Sequence, residues 1–545
     1  MLRNPLLPIA IVLILGIVVG DATGDAIRAA LGSWGLLMVL TLLIALSVAV
    51  ALLLNSRHKM GSSIAVYLAI FFFGVALMVK TADSLRFTFD EGQPVDYEAV
   101  VMSEPKVAGK TLRCDLSLIK VNGRMLRRPI KVKAAILRDT VSNDWRHIHL
   151  GSGIAAASPM EPLHAFRPNS STRPNSNFQS NSNFDYVRWL RVHGFSAQTF
   201  IYYSDWELRR VSLQPLSRFE RLRLRAMLFR DRLVNRFVQM TSSSADDQGT
   251  AIIASMVLGD RHTVSRQTKD LYSATGASHV LALSGLHLGI IYTVLTLLFG
   301  RRRRHEWLSQ ALILSAIWGY VVLVGMGTSI MRSAVMLSIF SLCQVLHRDG
   351  ASVNTLSFAA ICLLVASPMS LWDISFQLSF LAVLAIAVYY RPMYRLLRLK
   401  TRVGRSVWGM LAISVAAQLG TAPVVAYYFG RFSTYFLLTN LIVIPFATVI
   451  IYGSVVLAVL SSWSVIAMPV AHLLTTLARW LNASLGWVAT LPGASISDIK
   501  MSLPQVYLIY IALFCLTVAF ARFPFRRPFN VREDIRKRHR ELMEK

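Results

Sequence analysis

The chain has 545 residues, 54% of them hydrophobic, arranged as long apolar runs separated by short polar ones. Lysine and arginine number 57 against 29 aspartates and glutamates, a formal charge of +28. Runs of roughly 18 or more apolar residues are long enough to cross a bilayer, which excludes a single water-soluble domain. The four cysteines, Cys114, Cys343, Cys362 and Cys515, have no paired spacing, which excludes a disulfide framework or a cysteine zinc site.

Apolar runs fall near 5–20, 34–54, 63–79, 280–299, 308–326, 331–346, 353–367, 374–390, 407–428, 434–460, 464–490 and 504–522. The reading is a polytopic α-helical membrane protein of about 12 transmembrane helices. The first run has the length of a signal peptide, but no small-residue cleavage site follows it, so it reads as a retained anchor. Basic clusters follow alternate runs: Arg57-His58-Lys59, Arg301 to Arg304, Arg391 to Arg405, and Arg526 to Arg538. Such clusters mark cytoplasmic loops. They fall on one side if every run spans, which predicts both termini in the cytoplasm and the polar insert at 81–245 outside.

Within that insert the texture changes to alternation. Leu112-Arg113-Cys114-Asp115-Leu116-Ser117-Leu118, Ile130-Lys131-Val132-Lys133-Ala134 and Ala197-Gln198-Thr199-Phe200-Ile201-Tyr202-Tyr203 have the period of half-buried strands. Val121-Asn122-Gly123-Arg124 supplies hairpin turn chemistry. A small β-barrel of about five strands fits this length. His147-Ile148-His149 lacks acidic partners downstream and reads as surface or barrel-face histidine rather than a metal site. A Ser/Asn-rich stretch at 168–183 is too polar to pack and reads as a long loop. From 215 to 240, Phe219, Leu222, Ala226, Phe229, Leu233 and Phe237 form one helical face beside a stripe of Arg218, Arg221, Arg225, Arg232 and Arg236. That is a basic amphipathic helix, lying in the membrane interface or lining an entrance for polyanions.

Four segments of the second membrane block carry polar chemistry. Ala254 to Arg261 ends on Asp260 and Arg261, readable as a local ion pair at an outer mouth. It leads into His279-Val280-Leu281-Ala282-Leu283-Ser284-Gly285-Leu286-His287-Leu288-Gly289, whose polar groups imply a spanning helix that faces something polar. Ser284 and His287 share a helical face, yet no Gly-x-Ser-x-Gly turn or oxyanion site accompanies them, so no hydrolase is expected. His279 and His287 stand roughly 80° apart round a helix with no carboxylate to complete a metal set. Gly325 to Ala334 contains Arg332, which either snorkels to headgroups or faces inward. Trp372 to Phe380 contains Gln377, which either bonds a neighbouring helix or presents its amide to a substrate. Gln418 to Pro423, with Asn440 and Pro445 beyond, places glycine and proline where helices kink or break beside a transport path.

These residues also carry a resemblance. "LGDRHTVS", "YSATGASHVLALSGLHLGI", "GTSIMRSAVM", "NTLSFAAICLLVASPMSLWDISFQLSFLAVLAI" and "LGTAPVVAYYFGRFSTYFLLTNLIVIPFATVII" are similar, in order, to the ComEC family of bacterial competence proteins. "NPLLPIAIVLILGIVVGD" resembles the family's first anchor, and Phe184-Asp185-Tyr186-Val187-Arg188-Trp189-Leu190 with Gly194-Phe195 resemble its loop before the last OB strand. The family's Asn-Pro-Gly before Phe-Asp-Tyr is here Asn181-Ser182-Asn183. The metallo-β-lactamase-like domain of many members has no counterpart after 522.

The resemblance implies a plasma-membrane channel that passes single-stranded transforming DNA inward, without enzyme activity or cofactor in this chain; a transporter of another polyanion or of a small solute is the alternative. It implies a three-helix anchor (1–80), an extracytoplasmic OB-like β domain (81–212), the basic interfacial helix (213–250), a helical channel core (251–522) and a basic cytoplasmic tail (523–545). A phosphate cannot enter hydrocarbon unpaired, at a cost of tens of kcal/mol. His279, Ser284, His287, Arg332 and Gln377 are therefore expected to line the path, with Gly285 and Gly289 leaving room. Lys131, Lys133, Tyr202 and Tyr203 are the expected strand contacts of the OB-like domain. The chain has no Walker loop, so the implied partners are membrane lipid, an outer DNA receptor, a separate nuclease, and a cytoplasmic helicase or strand-binding protein. A homo-oligomer is compatible with the sequence. The basic loops at 301–304 and 391–405 either set topology or hold the emerging strand.

Overall fold

A computed structural model describes residues 4–54, 59–139, 143–163, 183–241, 248–299, 306–346, 353–460 and 464–522. Most of the Ser/Asn-rich loop, the basic residues Arg57, His58 and Arg301 to Arg304, and the basic tail lie outside them.

Helix α1 (Leu6–Leu54) is two helices joined at Gly32, whose φ of 69° suits a residue without a Cβ. Its halves and α2 (Lys59–Ser84) provide three apolar segments, Leu6–Ala26, Gly35–Leu54 and Met60–Ser84, each long enough to cross a membrane. The first half of α1 and α2 cross closely. A Cβ on Gly16 would collide with the Phe71 carbonyl oxygen, and one on Gly74 would lie 2.8 Å from the Leu13 carbonyl oxygen. Small residues at such crossings let helix backbones approach in lipid.

The insert forms β1 (Pro94–Val101), β2 (Lys106–Ala108), β3 (Thr111–Val121), β4 (Arg124–Leu137), β5 (Gly153–Glu161), β6 (Phe195–Ile201) and β7 (Trp206–Leu208), with helix α3 (Tyr186–Val192) before β6. The alternation puts Leu112, Cys114, Leu116 and Leu118 on the buried side of β3, opposite Val132, Ala134 and Ile136 of β4. The expected hairpin turn forms between β3 and β4, with Asn122 and Gly123 both at positive φ (46° and 76°). The expectation of a five-stranded barrel is corrected: there is one seven-stranded sheet, ordered β1-β3-β4-β6-β5-β7, with β2 attached to β3. β4 and β6 run parallel, β5 also pairs with β1, and β5 meets β6 through only two residue pairs. His147 ends a 3-10 turn (Asp144–His147) rather than lying on a strand, and both His147 and His149 are exposed.

Beyond the sheet come α4 (Arg218–Thr241), α5 (Gln248–Leu258), α6 (Arg266–Ala274), α7 (Ser278–Leu281), α8 (Gly285–Phe299), α9 (Glu306–Leu323) and α10 (Thr328–Val345). They are followed by α11 (Val353–Ala366), a 3-10 turn (Pro368–Trp372), α12 (Ile374–Tyr394), α13 (Arg402–Phe429), α14 (Phe436–Leu460), α15 (Ser464–Thr490) and α16 (Leu503–Arg522). Two-residue strands β8 (Phe432–Ser433) and β9 (Ser495–Ile496) pair between them. Helix α4 buries Leu224, Ala226, Met227 and Val234 while exposing Phe219, Leu222 and Phe229, so the predicted apolar face is split between packing and surface.

Among the described residues, eight helices are long and apolar enough to span a membrane, against the twelve runs expected. Three expected spans are shorter apolar helices: Gly285–Phe299, Val353–Ala366 and Leu503–Ala519. A run of apolar residues does not fix where the helix begins, and at 280–299 the chain leaves the helix inside the run. The breaks expected at proline fall elsewhere as well: α13 and α14 continue through Pro423 and Pro445, whereas the chain turns at Gly325 and Met326, both at positive φ.

Candidate functional site at the sheet-domain seam

Where α5 ends, Gly259 turns the chain at φ 74°. Asp260 is buried, and its Oδ1 accepts the His262 backbone N–H at 2.9 Å. Arg261 turns away from it, and its Nε donates to the Leu281 carbonyl at 3.2 Å. The local Asp260–Arg261 ion pair therefore gives way to separate partners. Ser255 Oγ donates to the same carbonyl at 2.8 Å. A helix end leaves carbonyls without intrahelical partners, and these two side chains satisfy the last one of α7.

The chain then runs extended through Ala282 (ψ 132°) and re-enters helix at Gly285. Ser284 stands at the cap position. His287 Nδ1 lies 2.9 Å from Ser284 Oγ and 3.3 Å from the Ser284 backbone nitrogen, which donates to it. A side chain three residues into a helix that reaches back to the cap N–H is a capping box, here with imidazole in the usual glutamate position. Accepting at Nδ1 assigns the proton to Nε2, which is buried without a partner of hydrogen-bond geometry. The expected continuous helix is thus two helices around a break, and the Ser–His pair builds the second one. His279 and Gly285 are exposed, Ser284 and Gly289 are half-buried, and His287 is fully buried. A Cβ on Gly289 would meet open space.

Beside this break is a cavity of about 630 Å³ between the β1–β2 segment of the sheet domain and the helical core, lined among others by Glu104, Lys106, Arg261, His262, Lys269 and Ser278. Burial pushes the Lys269 ammonium below the usual lysine range, and the charges of Lys106 and Arg261 push it further. Burial likewise lowers Arg261. Three cations that repel one another around one cavity gain by taking an anion. In the same lining, His262 Nε2 is 3.4 Å from Glu104 Oε2. Burial and then Lys106 hold the His262 imidazole below its ordinary range, while burial and then Asp260 hold the Glu104 carboxyl above its own.

A second polar cluster joins the sheet domain to α1, the 3-10 turn and α13. Asp185 caps α3 by accepting the Arg188 N–H at 2.9 Å. The Arg188 guanidinium pairs with Asp21 of α1 and lies 3.9 Å over the Trp372 ring. Asn183 donates to the carbonyls of Tyr427 (3.2 Å) and Met501 (2.9 Å). Next to Trp372, Asp373 caps α12 through the Ser375 N–H at 3.0 Å, and its other oxygen accepts from Arg332 Nη1 at 2.9 Å. Arg332 is only 4% exposed, and its Nε and Nη2 are buried without partners. Gln377 Nε2 donates to the Leu371 carbonyl at 3.0 Å, which holds the 3-10 turn.

The candidates of the sheet domain are spread along β4 and β6. Lys133 pairs with Asp115, and its ammonium lies 5.5 Å from the Phe195 ring centroid. Lys131 is half-buried and pairs in register with Phe195 at the start of β6, and burial lowers its ammonium. Tyr202 and Tyr203 are more than half exposed beyond the other end of that strand, about 23 Å away at ~3.3 Å per residue. Sequence reasoning missed Glu104, Lys106, His262, Lys269, Arg188 and Asp373. His262, Arg188 and Asp373 stood inside segments already quoted, LGDRHTVS, Phe184 to Leu190 and Trp372 to Phe380, without being singled out themselves; Glu104, Lys106 and Lys269 carry no local signal.

Residues 256–523 match the family model described as "Competence protein". The chain is 24% identical over 453 residues to ComE operon protein 3 of Bacillus subtilis, covering 82% of this chain and 52% of that protein. It is 22% identical over 235 residues to Recombination protein 2 of Haemophilus influenzae (41% and 30% covered) and 26% identical over 212 residues to the uncharacterized protein YcaI of Escherichia coli (37% and 28%). The chain thus spans about half the length of the first of these relatives and about a third of the other two. No solved structure matches it.

Proposed function

This chain belongs to the ComEC family of competence proteins, and on that premise we propose that it is a plasma-membrane channel passing single-stranded transforming DNA into the cytoplasm. Membership and the long apolar helices support a multi-pass membrane protein with a role in competence DNA uptake; conduction of a single strand is our reading. The observation that carries it is the seam cavity. Lys106, Arg261 and Lys269 line it together with Glu104, and none of the three makes an ion pair among the described residues, at the point where the apolar run after His279 breaks. Non-helical backbone at membrane depth is tolerated where it is buried in protein or lines a water-filled cavity.

In this reading a phosphodiester docks on the three cations and then meets His279, Ser284, Gly285 and Gly289, with Gln377 further along. Arg332 and His287 hold the wall from behind. The sheet domain is OB-like and extracytoplasmic in this reading, which the parallel β4–β6 pairing within a mixed sheet supports. Lys131, Tyr202 and Tyr203 are its strand contacts, helix α4 rests in the membrane interface, and both termini face the cytoplasm. Moving each phosphate inward against the membrane potential costs about 2.3 kcal/mol per 100 mV, so a cytoplasmic helicase or strand-binding protein supplies the pull. An outer receptor delivers DNA and a separate nuclease removes the other strand.

The test is a deletion strain given labelled DNA. Surface binding should persist while transfer of label to the cytoplasm is lost, and Lys106→Gln/Arg261→Gln/Lys269→Gln should reproduce the loss with normal membrane insertion. Normal internalisation in the deletion strain rejects the channel. An accumulation defect that appears without added DNA would favour transport of another polyanion or a small solute.

A further inference from the structure

We infer that Glu104, Asp260 and His262 form a binding site for a divalent transition-metal ion, best matched by Zn²⁺, which fastens the sheet domain to the helical core. This goes beyond the transport reading and does not rest on what the cavity conducts. The three residues come from two parts of the fold: Glu104 from the segment between β1 and β2, Asp260 and His262 from the turn after α5. Each offers one donor atom, and the three atoms lie within 4.8 Å of one another. The closest measured pair, His262 Nε2 and Glu104 Oε2, is 3.4 Å apart. That matches the edge of a tetrahedron with metal–ligand bonds of about 2.1 Å, roughly 3.4 Å.

Local electrostatics call for a cation at this spot. Asp260 is 6% exposed, and its carboxylate accepts a hydrogen bond from the His262 backbone N–H of the same turn. Its neighbour Arg261 is committed to the Leu281 carbonyl, and no ion pair compensates Asp260 among the described residues. Glu104 is brought against it, and the nearby Asp231 is paired with its own neighbour Arg230 at 3.0 Å. A buried carboxylate without a counter-charge is costly, and a divalent ion between two carboxylates and an imidazole removes that cost. The imidazole decides the class of ion. Nitrogen donors suit zinc and its neighbours, whereas magnesium takes oxygen and holds its water. Lys106 and Arg230 share the local field and weaken any ion held by charge alone, which disfavours magnesium further. Three protein ligands leave a fourth position for water from the adjoining cavity.

The experiment uses the tag-free full chain in detergent, stripped with chelator and titrated with Zn²⁺, Co²⁺ and Mg²⁺ by calorimetry and metal analysis. One Zn²⁺ per chain is expected, unaffected by excess Mg²⁺. Glu104→Gln, Asp260→Asn and His262→Gln should each weaken it at least tenfold. Co²⁺ on the unmutated protein should give saturable visible absorption of a tetrahedral nitrogen/oxygen site at one equivalent, displaced by Zn²⁺, a readout that survives if a variant fails to fold. Zn²⁺ affinity unchanged in the triple variant, or no saturable Co²⁺ band in the unmutated chain, overturns the site.

Discussion

Replacing Asp373 by Asn tests whether the Arg332–Asp373 pair is a buried structural tie. Both side chains are almost fully enclosed, at 5% and 6% exposure, and the charges meet at 2.9 Å. At an effective dielectric of about 20, unit charges at that distance attract by about 6 kcal/mol. Desolvation offsets most of this, but removing one partner strands the other charge and costs about 3–5 kcal/mol. Asn retains a cap acceptor for the Ser375 N–H, so Asp373→Asn isolates the charge; Asp373→Ala adds about 1 kcal/mol for the lost cap. Arg332 already has two unpartnered nitrogens, so Arg332→Met/Asp373→Asn should recover most of the stability. The measurement is a double-mutant cycle of thermal unfolding in detergent, followed by DNA uptake. We expect a coupling energy above about 2 kcal/mol and near-normal uptake in the double variant. Single variants each within about 1 kcal/mol of the parent, with uptake lost in a stable double variant, would refute the reasoning and return Arg332 to the DNA path.

Gly16→Leu should separate α1 from α2, because its side chain meets backbone rather than a flexible neighbour; a melt unchanged from the parent contradicts the crossing, since overpacking costs about 1–3 kcal/mol or more. Cys114, whose thiol burial pushes up to about 12, should resist maleimide at pH 8 in a Cys343→Ser/Cys362→Ser/Cys515→Ser background, because the thiolate is the reactive form. Labelling should appear only in denaturant, and rapid native labelling would place Cys114 outside the sheet core. Arg188→Lys should loosen the sheet domain nearly as much as Arg188→Ala, seen as faster proteolysis at the junction, since lysine cannot reproduce a planar guanidinium stacked on Trp372 while paired with Asp21. Parent-like resistance in Arg188→Lys would mean that charge alone holds the clasp.

What the sequence made legible was local or periodic. Alternation at Leu112 to Leu118 located a strand, and Asn122-Gly123 located its turn, because a period of two and a pair of positive-φ residues act over a few positions. The unusual polarity at Ser284, His287 and Arg332 was visible for the same reason. Its meaning was not. Whether the helix after His279 is continuous depends on Ser255 and Arg261 capturing the Leu281 carbonyl from outside the run. Whether Arg332 is bare depends on Asp373, 41 positions away. The seam cavity is assembled from β1–β2 and α5–α7, so neither half carries a pattern that announces the other. Lys133 shows the converse: its alternation was legible, but the Asp115 opposite it on β3 is a matter of register.

The break at 282–284 also gives α8 an end of its own. A helix of this length carries about half a positive charge at its amino terminus, spread over backbone N–H groups. That pole stands beside the half-buried Ser284, three positions beyond Leu281, a lining residue of the cavity. Unlike Lys106, Arg261 and Lys269, it belongs to the main chain. Any side-chain substitution that leaves the helix formed leaves this attraction for anions in place, a floor below which charge neutralisation at the seam cannot reach.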